Sequence, residues 1–184
     1  MKSLFSRQSL VLLTLMVSGL FCQIAVAETA AELNRTSRAA LDKLVRTTPA
    51  AQQLNETAIA VLVFPAIKKA GLVVGGQYGE GVLMRGGKTV AYYNTGGASF
   101  GLQAGAQEYG YVMFFTKESA LKALDSTEGF EVGVGPSVVV MDQGMAMQKT
   151  TMNLQDDIYA FVFGQKGLMA GLGVQGNKIT RIKK

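Results

Sequence analysis

The 184-residue sequence has no histidine and no tryptophan, a single cysteine and three prolines. The cysteine, Cys22, falls within residues 1–27, which carry the marks of a signal peptide. Lys2 and Arg7 precede an apolar run from Leu10 to Phe21, and Ala25-Val26-Ala27 forms a small-x-small cleavage site. Cleavage there starts the mature chain near Glu28 and removes the only thiol. Disulfides, Cys/His metal centres and Ser-His or Cys-His nucleophilic pairs are then excluded. Two alternatives to cleavage stay open. One is an uncleaved anchor, for which the apolar run is only marginally long enough. The other is lipidation of Cys22, which the bulky Phe21 before it disfavours.

Without histidine, acid–base catalysis would fall to carboxylates. Asp156-Asp157 and Glu128 with Glu131 are close pairs, and adjacent residues of a strand face opposite ways. The expectation is a non-enzymatic protein with no cofactor and no metal. Arg85-Gly86-Gly87-Lys88-Thr89 resembles the end of a phosphate-binding loop, but Val82 stands where the first glycine is required and no helix follows. Charge is also modest. Eighteen basic and 13 acidic residues give +5, and loss of Lys2 and Arg7 leaves +3. That favours an anionic surface and is too weak to argue for nucleic acid.

What the sequence has in abundance is glycine, 22 residues interleaved with Val, Leu, Phe and Tyr. In Lys69–Val82 an extended chain places Gly71, Gly75, Gln77, Gly79 and Gly81 on one face. A strand face of glycine loses backbone entropy and packs nothing, so it predicts a sharp bend or a close approach of another group. Gly101-Leu-Gln-Ala-Gly105-Ala-Gln107 repeats the pattern. Gly167-Leu-Met-Ala-Gly171, followed by Gly173, Gln175 and Gly176, repeats it again. Three sister strands with a smooth common face are expected.

In chain order, 28–47 reads as a helix with Leu33, Ser37, Ala40, Leu41 and Leu44 on one stripe and Arg35, Arg38, Lys43 and Arg46 largely off it. Such a basic amphipathic helix either lies on an anionic membrane or docks its leucines on the sheet with its charges in water. Thr48-Pro49 ends it and can start a second short helix. Ala58–Phe64 is a strand expected to stop at Pro65, and Lys68 and Lys69 fall in the connection after it. Arg85–Lys88 is a hairpin turn into a strand over 89–94. Thr95-Gly96-Gly97 is expected to turn into the second glycine strand, and Gly164-Gln165-Lys166 into the third. Gly110–Phe115 and Ile158–Phe163 are strands. Lys117–Leu124 is a helix with Thr116 as N-cap. Phe130–Val140 is extended and interrupted, and Asp142–Gln155 is either a methionine-bearing flap or a strand pair. Ile179–Lys183 is a cationic edge strand. The fold class is α+β: a strongly bent, mostly antiparallel sheet or open barrel with an N-terminal and one mid-chain helix, forming a single domain over 28–184.

Val63-Phe64-Pro65, Lys69-Ala70-Gly71, the Gly75–Val82 run, Ser99-x-Gly101-x-Gln103-x-Gly105-Ala106, Gly135-Pro136 and Lys166-Gly167-Leu168-x-x-Gly171 with Gly176 together resemble the SYLF domain, over about Ala30 to Ile182. The resemblance implies a lipid-binding domain. Eukaryotic relatives bind phosphoinositides, partly through a basic N-terminal helix, and some bind actin filaments; bacterial relatives are exported. For this chain it implies a periplasmic protein, peripheral to a membrane, whose partner is an anionic lipid surface met by Arg35, Arg38, Lys43, Arg46, Lys68 and Lys69. The alternative is an interaction module for an envelope protein, using a sheet edge or the methionine-bearing segment.

Overall fold

The computed structural model describes residues 28–71, 74–100, 105–126, 129–131, 135–141, 155–167 and 177–184. Residues 1–27, expected to be a signal peptide, Gly101, Gly171, Gly173 and the methionine-bearing stretch 142–154 lie outside the described residues.

Helix α1 (Ala30–Thr47) starts where Thr29 Oγ1 accepts the Glu32 amide, with Glu32 in its first turn and Arg46 in its last, both favourable to the helix dipole. Thr48 then turns extended, and Pro49 opens helix α2 (Pro49–Thr57) at a position that needs no amide hydrogen. Among the described residues eight strands follow, with helix α3 (Glu118–Leu124) among them: β1 (Ala60–Gly71), β2 (Val74–Arg85), β3 (Lys88–Phe100), β4 (Gly105–Phe115), β5 (Phe130–Glu131), β6 (Val138–Met141), β7 (Ile158–Gly167) and β8 (Lys178–Ile182). They form one curled half-barrel sheet in the order β5-β8-β3-β2-β1-β4-β7-β6. Every pairing is antiparallel except β6 with β7. The α+β architecture is the expected one.

Both faces of the sheet are covered. Leu62, Phe64, Leu83, Tyr93, Met113, Phe115, Ile158, Ala160 and Ile179 pack on one face, the inner face, with Ala120, Leu121 and Leu124 of α3. Val61, Val63, Val82, Met84, Val112, Phe114 and Phe161 pack on the other with Leu33, Leu44, Ala50, Ala51 and Leu54 of α1 and α2. Burial on both faces explains why the central strands read as continuous apolar runs rather than alternating ones.

Several local expectations give way to tertiary pairing. Pro65 does not end β1: the strand runs on to Gly71 through a bulge, where register shifts against β2 between Val63 and Ala66 and against β4 between Phe64 and Ile67. A bulge is where a sheet accommodates a residue with no amide hydrogen. The bulge also brings both Phe64 and Ile67, three residues apart, onto the inner face. Thr95-Gly96-Gly97 is not a turn, because β3 continues through it opposite Gly79, Tyr78 and Gln77. Gly164, at φ 64°, marks a register shift within β7 rather than a turn out of it. Thr116 does not cap α3: its hydroxyl donates to the Asp156 and Asp157 carbonyls, and Lys117 is the N-cap. The Gly86-Gly87 turn is as expected, with φ of 55° and 73°.

The three glycine segments are not three whole strands. The first spans the end of β1 and start of β2, the second the end of β3 and start of β4, and the third leaves the end of β7 toward β8. In an antiparallel sheet these strand ends all lie at one end, opposite the Gly86-Gly87 turn. The glycine pattern therefore marks one end of the half-barrel.

Candidate functional site

Helix α1 settles its own orientation. At 100° per residue, Leu33, Ser37 and Leu44 fall within about 40° of one another, while Arg35, Arg38 and Arg46 fall within about 80° on the opposite side, with Lys43 at the flank. The first three are buried and the four cations exposed. The leucine stripe is spent on the sheet, so what α1 offers outward is charge. Glu32, 3.6 Å from Arg35, and Asp42 share that outer face and reduce its net charge. Three contacts hold α1 to β3 and its turn: Asn34 Nδ2 donates to Tyr92 Oη at 2.8 Å, Arg38 Nη1 donates to the Gly87 carbonyl at 2.8 Å, and Thr89 Oγ1 donates to Asn34 Oδ1 at 2.7 Å.

That second contact places α1 beside the exposed Lys88 of the turn. An open groove of about 670 Å³ lies between β3 and β8, lined by Val90, Tyr92, Arg181, Ile182, Lys183 and Lys184. Within it Arg181 pairs with Asp125 and Lys184 with Glu80, whereas Lys183 has no acidic partner among the described residues. Sequence reasoning misses Lys88 as a site candidate. It lies in no periodic pattern with α1, and only the Arg38–Gly87 contact brings its turn to the helix.

Lys68 and Lys69 separate. Lys68 is exposed on the helix-bearing face, opposite Tyr78 and Glu108. Lys69 faces inward and is only 6% exposed. It stands in the middle of a row across five strands: Gly97, Gln77, Lys69, Gln107 and Gly167 are consecutive register partners. The next row toward the strand ends is Ser99, Gly75, Gly71 and Gly105, nearly bare of side chains. The row on the other side is Thr95, Gly79, Ile67 and Tyr109. The inner face thus changes from apolar beneath α3 to polar near the glycine end. There the Tyr109 hydroxyl donates to Gln77 Oε1 at 2.9 Å, and Gln77 Nε2 donates to Asn177 Oδ1. Gly97 makes room for Asn177, whose Oδ1 would sit 2.6 Å from any Cβ there. Gly79 and Gly81 do the same for the β1 bulge. A Cβ on Gly79 would lie 2.8 Å from the Ala66 carbonyl oxygen, and one on Gly81 2.5 Å from the Phe64 ring. Burial pushes the Tyr109 phenol up to about 12 and Tyr111 beyond that, so both stay neutral donors.

Several carboxylates are engaged structurally. Asp157 is held below the usual carboxylate range by the Lys117 ammonium at 2.7 Å and by the Ser137 amide. Asp125 accepts from Tyr93 and Arg181, and the Tyr159 hydroxyl lies 3.3 Å from Asp156 Oδ2. Among the described residues no group of three or more acids, His or Cys could hold a metal ion, and no helix is long and apolar enough to cross a membrane.

No curated protein matches the chain. A family model described as Ysc84, Las17-binding protein actin regulator, matches residues 96–184. That stretch holds the end of β3 with β4 to β8. In the sheet order β1 and β2 lie between β3 and β4, so the matched strands become one sheet only through the preceding hairpin. The match, on a chain whose earlier residues complete its sheet, supports membership of the SYLF domain family, a family of binding modules.

Proposed function

We propose that the protein is a non-enzymatic, lipid-associated module of the bacterial envelope, exported to the periplasm, that rests on anionic phospholipid through the outward face of α1. The observation that carries this reading is the division of α1 into a buried leucine stripe and an exposed row of Arg35, Arg38 and Arg46 flanked by Lys43. Lys88 of the adjoining turn widens the same cationic region, and Lys68 adds to it on the helix-bearing face. Each cation close to an anionic surface contributes about 1 kcal/mol, against which Glu32 and Asp42 work. The expected association is peripheral and salt-sensitive, because no apolar face of α1 remains to insert. The targeting features of residues 1–27 support export.

The test is vesicle flotation. Binding should rise with the fraction of anionic lipid, fall with added salt and weaken in an Arg35→Glu, Arg38→Glu double variant. Equal recovery with neutral and anionic vesicles, or none with either, would refute it. A protein partner in place of lipid is the reading left if flotation fails. The description of the matching family model as an actin regulator carries over only as far as a capacity for protein contact.

A further inference from the structure

We propose that the groove between β3 and β8 docks an extended, acidic peptide segment of another protein, which adds to the free edge of β3 as a short strand. This holds independently of the lipid reading, because it uses a different surface and different residues.

Strand β3 outruns one of its neighbours. It pairs with β2 from Lys88 to Phe100, whereas β8 covers its other side only from Tyr92, opposite Ile182, to Gly96, opposite Lys178. Over residues 88–91 β3 therefore has no strand on the β8 side among the described residues. Outside the strand ladders no backbone hydrogen bond involves these four residues either. Backbone groups on such an edge can receive a further strand. The end of β8 does not supply it: the strand stops at Ile182, and the Lys184 ammonium donates to Glu80 and to the Glu28 carbonyl.

The space beside this edge is the open groove of about 670 Å³. Val90, which lines it, is the extra residue of a bulge, where Leu83 and Met84 pair with Ala91 and Thr89. It is 50% exposed, one of three large apolar side chains at least half exposed among the described residues. With the partly buried Ile182 it gives the groove its apolar contacts. The charge is of one sign. Arg181, Lys183 and Lys184 line the groove, and no acid does. Arg181 and Lys184 are spent on Asp125 and Glu80. Lys183 is exposed without an acidic partner among the described residues, and so is Lys88 at the start of the open edge.

These features select the occupant. Acyl chains would leave the open backbone edge unsatisfied. A second copy would bring the same cationic edge, and lysines set against lysines repel. An extended peptide that mixes apolar and acidic side chains satisfies the edge, Val90 and the two unpaired ammoniums together. The four edge residues span about 13 Å, room for a strand of similar length.

The probe is a terminally blocked, fluorescein-labelled hexapeptide that alternates glutamate with valine, titrated by fluorescence anisotropy. Wild type should bind it, less tightly as salt is added, and exchange of the 88–91 amide hydrogens should slow in the complex. The same peptide methylated on every backbone nitrogen keeps its charge but cannot donate to the edge, and should lose roughly tenfold or more in affinity. Lys183→Glu and Val90→Glu, both at exposed positions, should each weaken binding roughly fivefold. Lys122→Glu, the same change of charge at an exposed lysine of α3, should bind as wild type does. No binding of the acidic peptide, equal binding of its methylated form, unchanged exchange at 88–91, or equal losses in Lys122→Glu and Lys183→Glu overturns the proposal. If the peptide does not bind and Lys183→Glu instead weakens flotation on anionic vesicles, the groove meets a membrane and the proposal falls.

Discussion

Two glycines three residues apart on β2 should respond in opposite ways to the same substitution. Gly79→Ala adds a Cβ that would sit 2.8 Å from the Ala66 carbonyl oxygen and 2.8 Å from Ile67 Cγ1, with the Ile67 Cα at 3.1 Å. Two of these three neighbours are backbone at the β1 bulge, which cannot rotate away. Overpacking of this kind costs about 1–3 kcal/mol. The lower chain entropy of alanine in the unfolded state returns about 0.4–1 kcal/mol, so the net loss is about 1–2 kcal/mol. Gly76→Ala meets nothing closer than the Gly97 carbonyl oxygen at 3.9 Å and is exposed. It keeps the entropic gain alone, about 0.4–1 kcal/mol of added stability. Neither residue has a positive φ, so backbone strain does not confuse the comparison. The two variants should differ by roughly 2 kcal/mol, or about 4–8 °C in melting temperature for a domain of this size. Urea unfolding followed by far-UV circular dichroism, with an unchanged m value, measures it directly. If both substitutions shift the midpoint the same way by similar amounts, the β2 glycines do not serve close packing, and the glycine pattern needs a different physical cause.

Leu33→Ala should cost about 2–5 kcal/mol, because Leu33 is fully buried between α1 and the sheet; its urea midpoint relative to wild type checks this. Ser37→Ala should stabilise the protein by about 1 kcal/mol in the same assay, since Ser37 Oγ is buried without a partner and alanine is the better helix former. Asp157 has a depressed folded-state pKa, so its contribution is present above the ordinary carboxylate value and is lost as pH falls through the depressed one. Asp157→Asn should therefore flatten the acid limb of the stability–pH profile below about pH 4, and an unchanged acid limb would rule out this linkage.

Much of the architecture was legible locally. The apolar runs at 58–64, 110–115 and 158–163 and the Gly86-Gly87 hairpin identify strands, and the stripe of Leu33, Ser37 and Leu44 identifies an amphipathic helix but not what it packs on. What misled local reading was punctuation. Pro65, Thr95-Gly96-Gly97 and Gly164 all look like stops, yet each lies inside a strand, because neighbours on both sides hold β1, β3 and β7 extended across a bulge or a glycine pair. The candidate site divides in the same way. The cations of α1 follow from helical periodicity, whereas the contribution of Lys88 depends on where the helix docks.

The sequence by itself determined that the chain has no imidazole or indole chemistry, that it is an α+β protein, and that its glycines recur in three related places. Only the tertiary structure decided that those places share one end of the half-barrel. Only it decided, too, that adjacent Lys68 and Lys69 serve different faces. The physical reason is that strand alternation sends neighbours to opposite sides, but which side is interior depends on bulges and partners contributed from distant parts of the chain. The bulge at Pro65 resets that choice for everything up to Gly71, and so puts Lys69 rather than Lys68 inside.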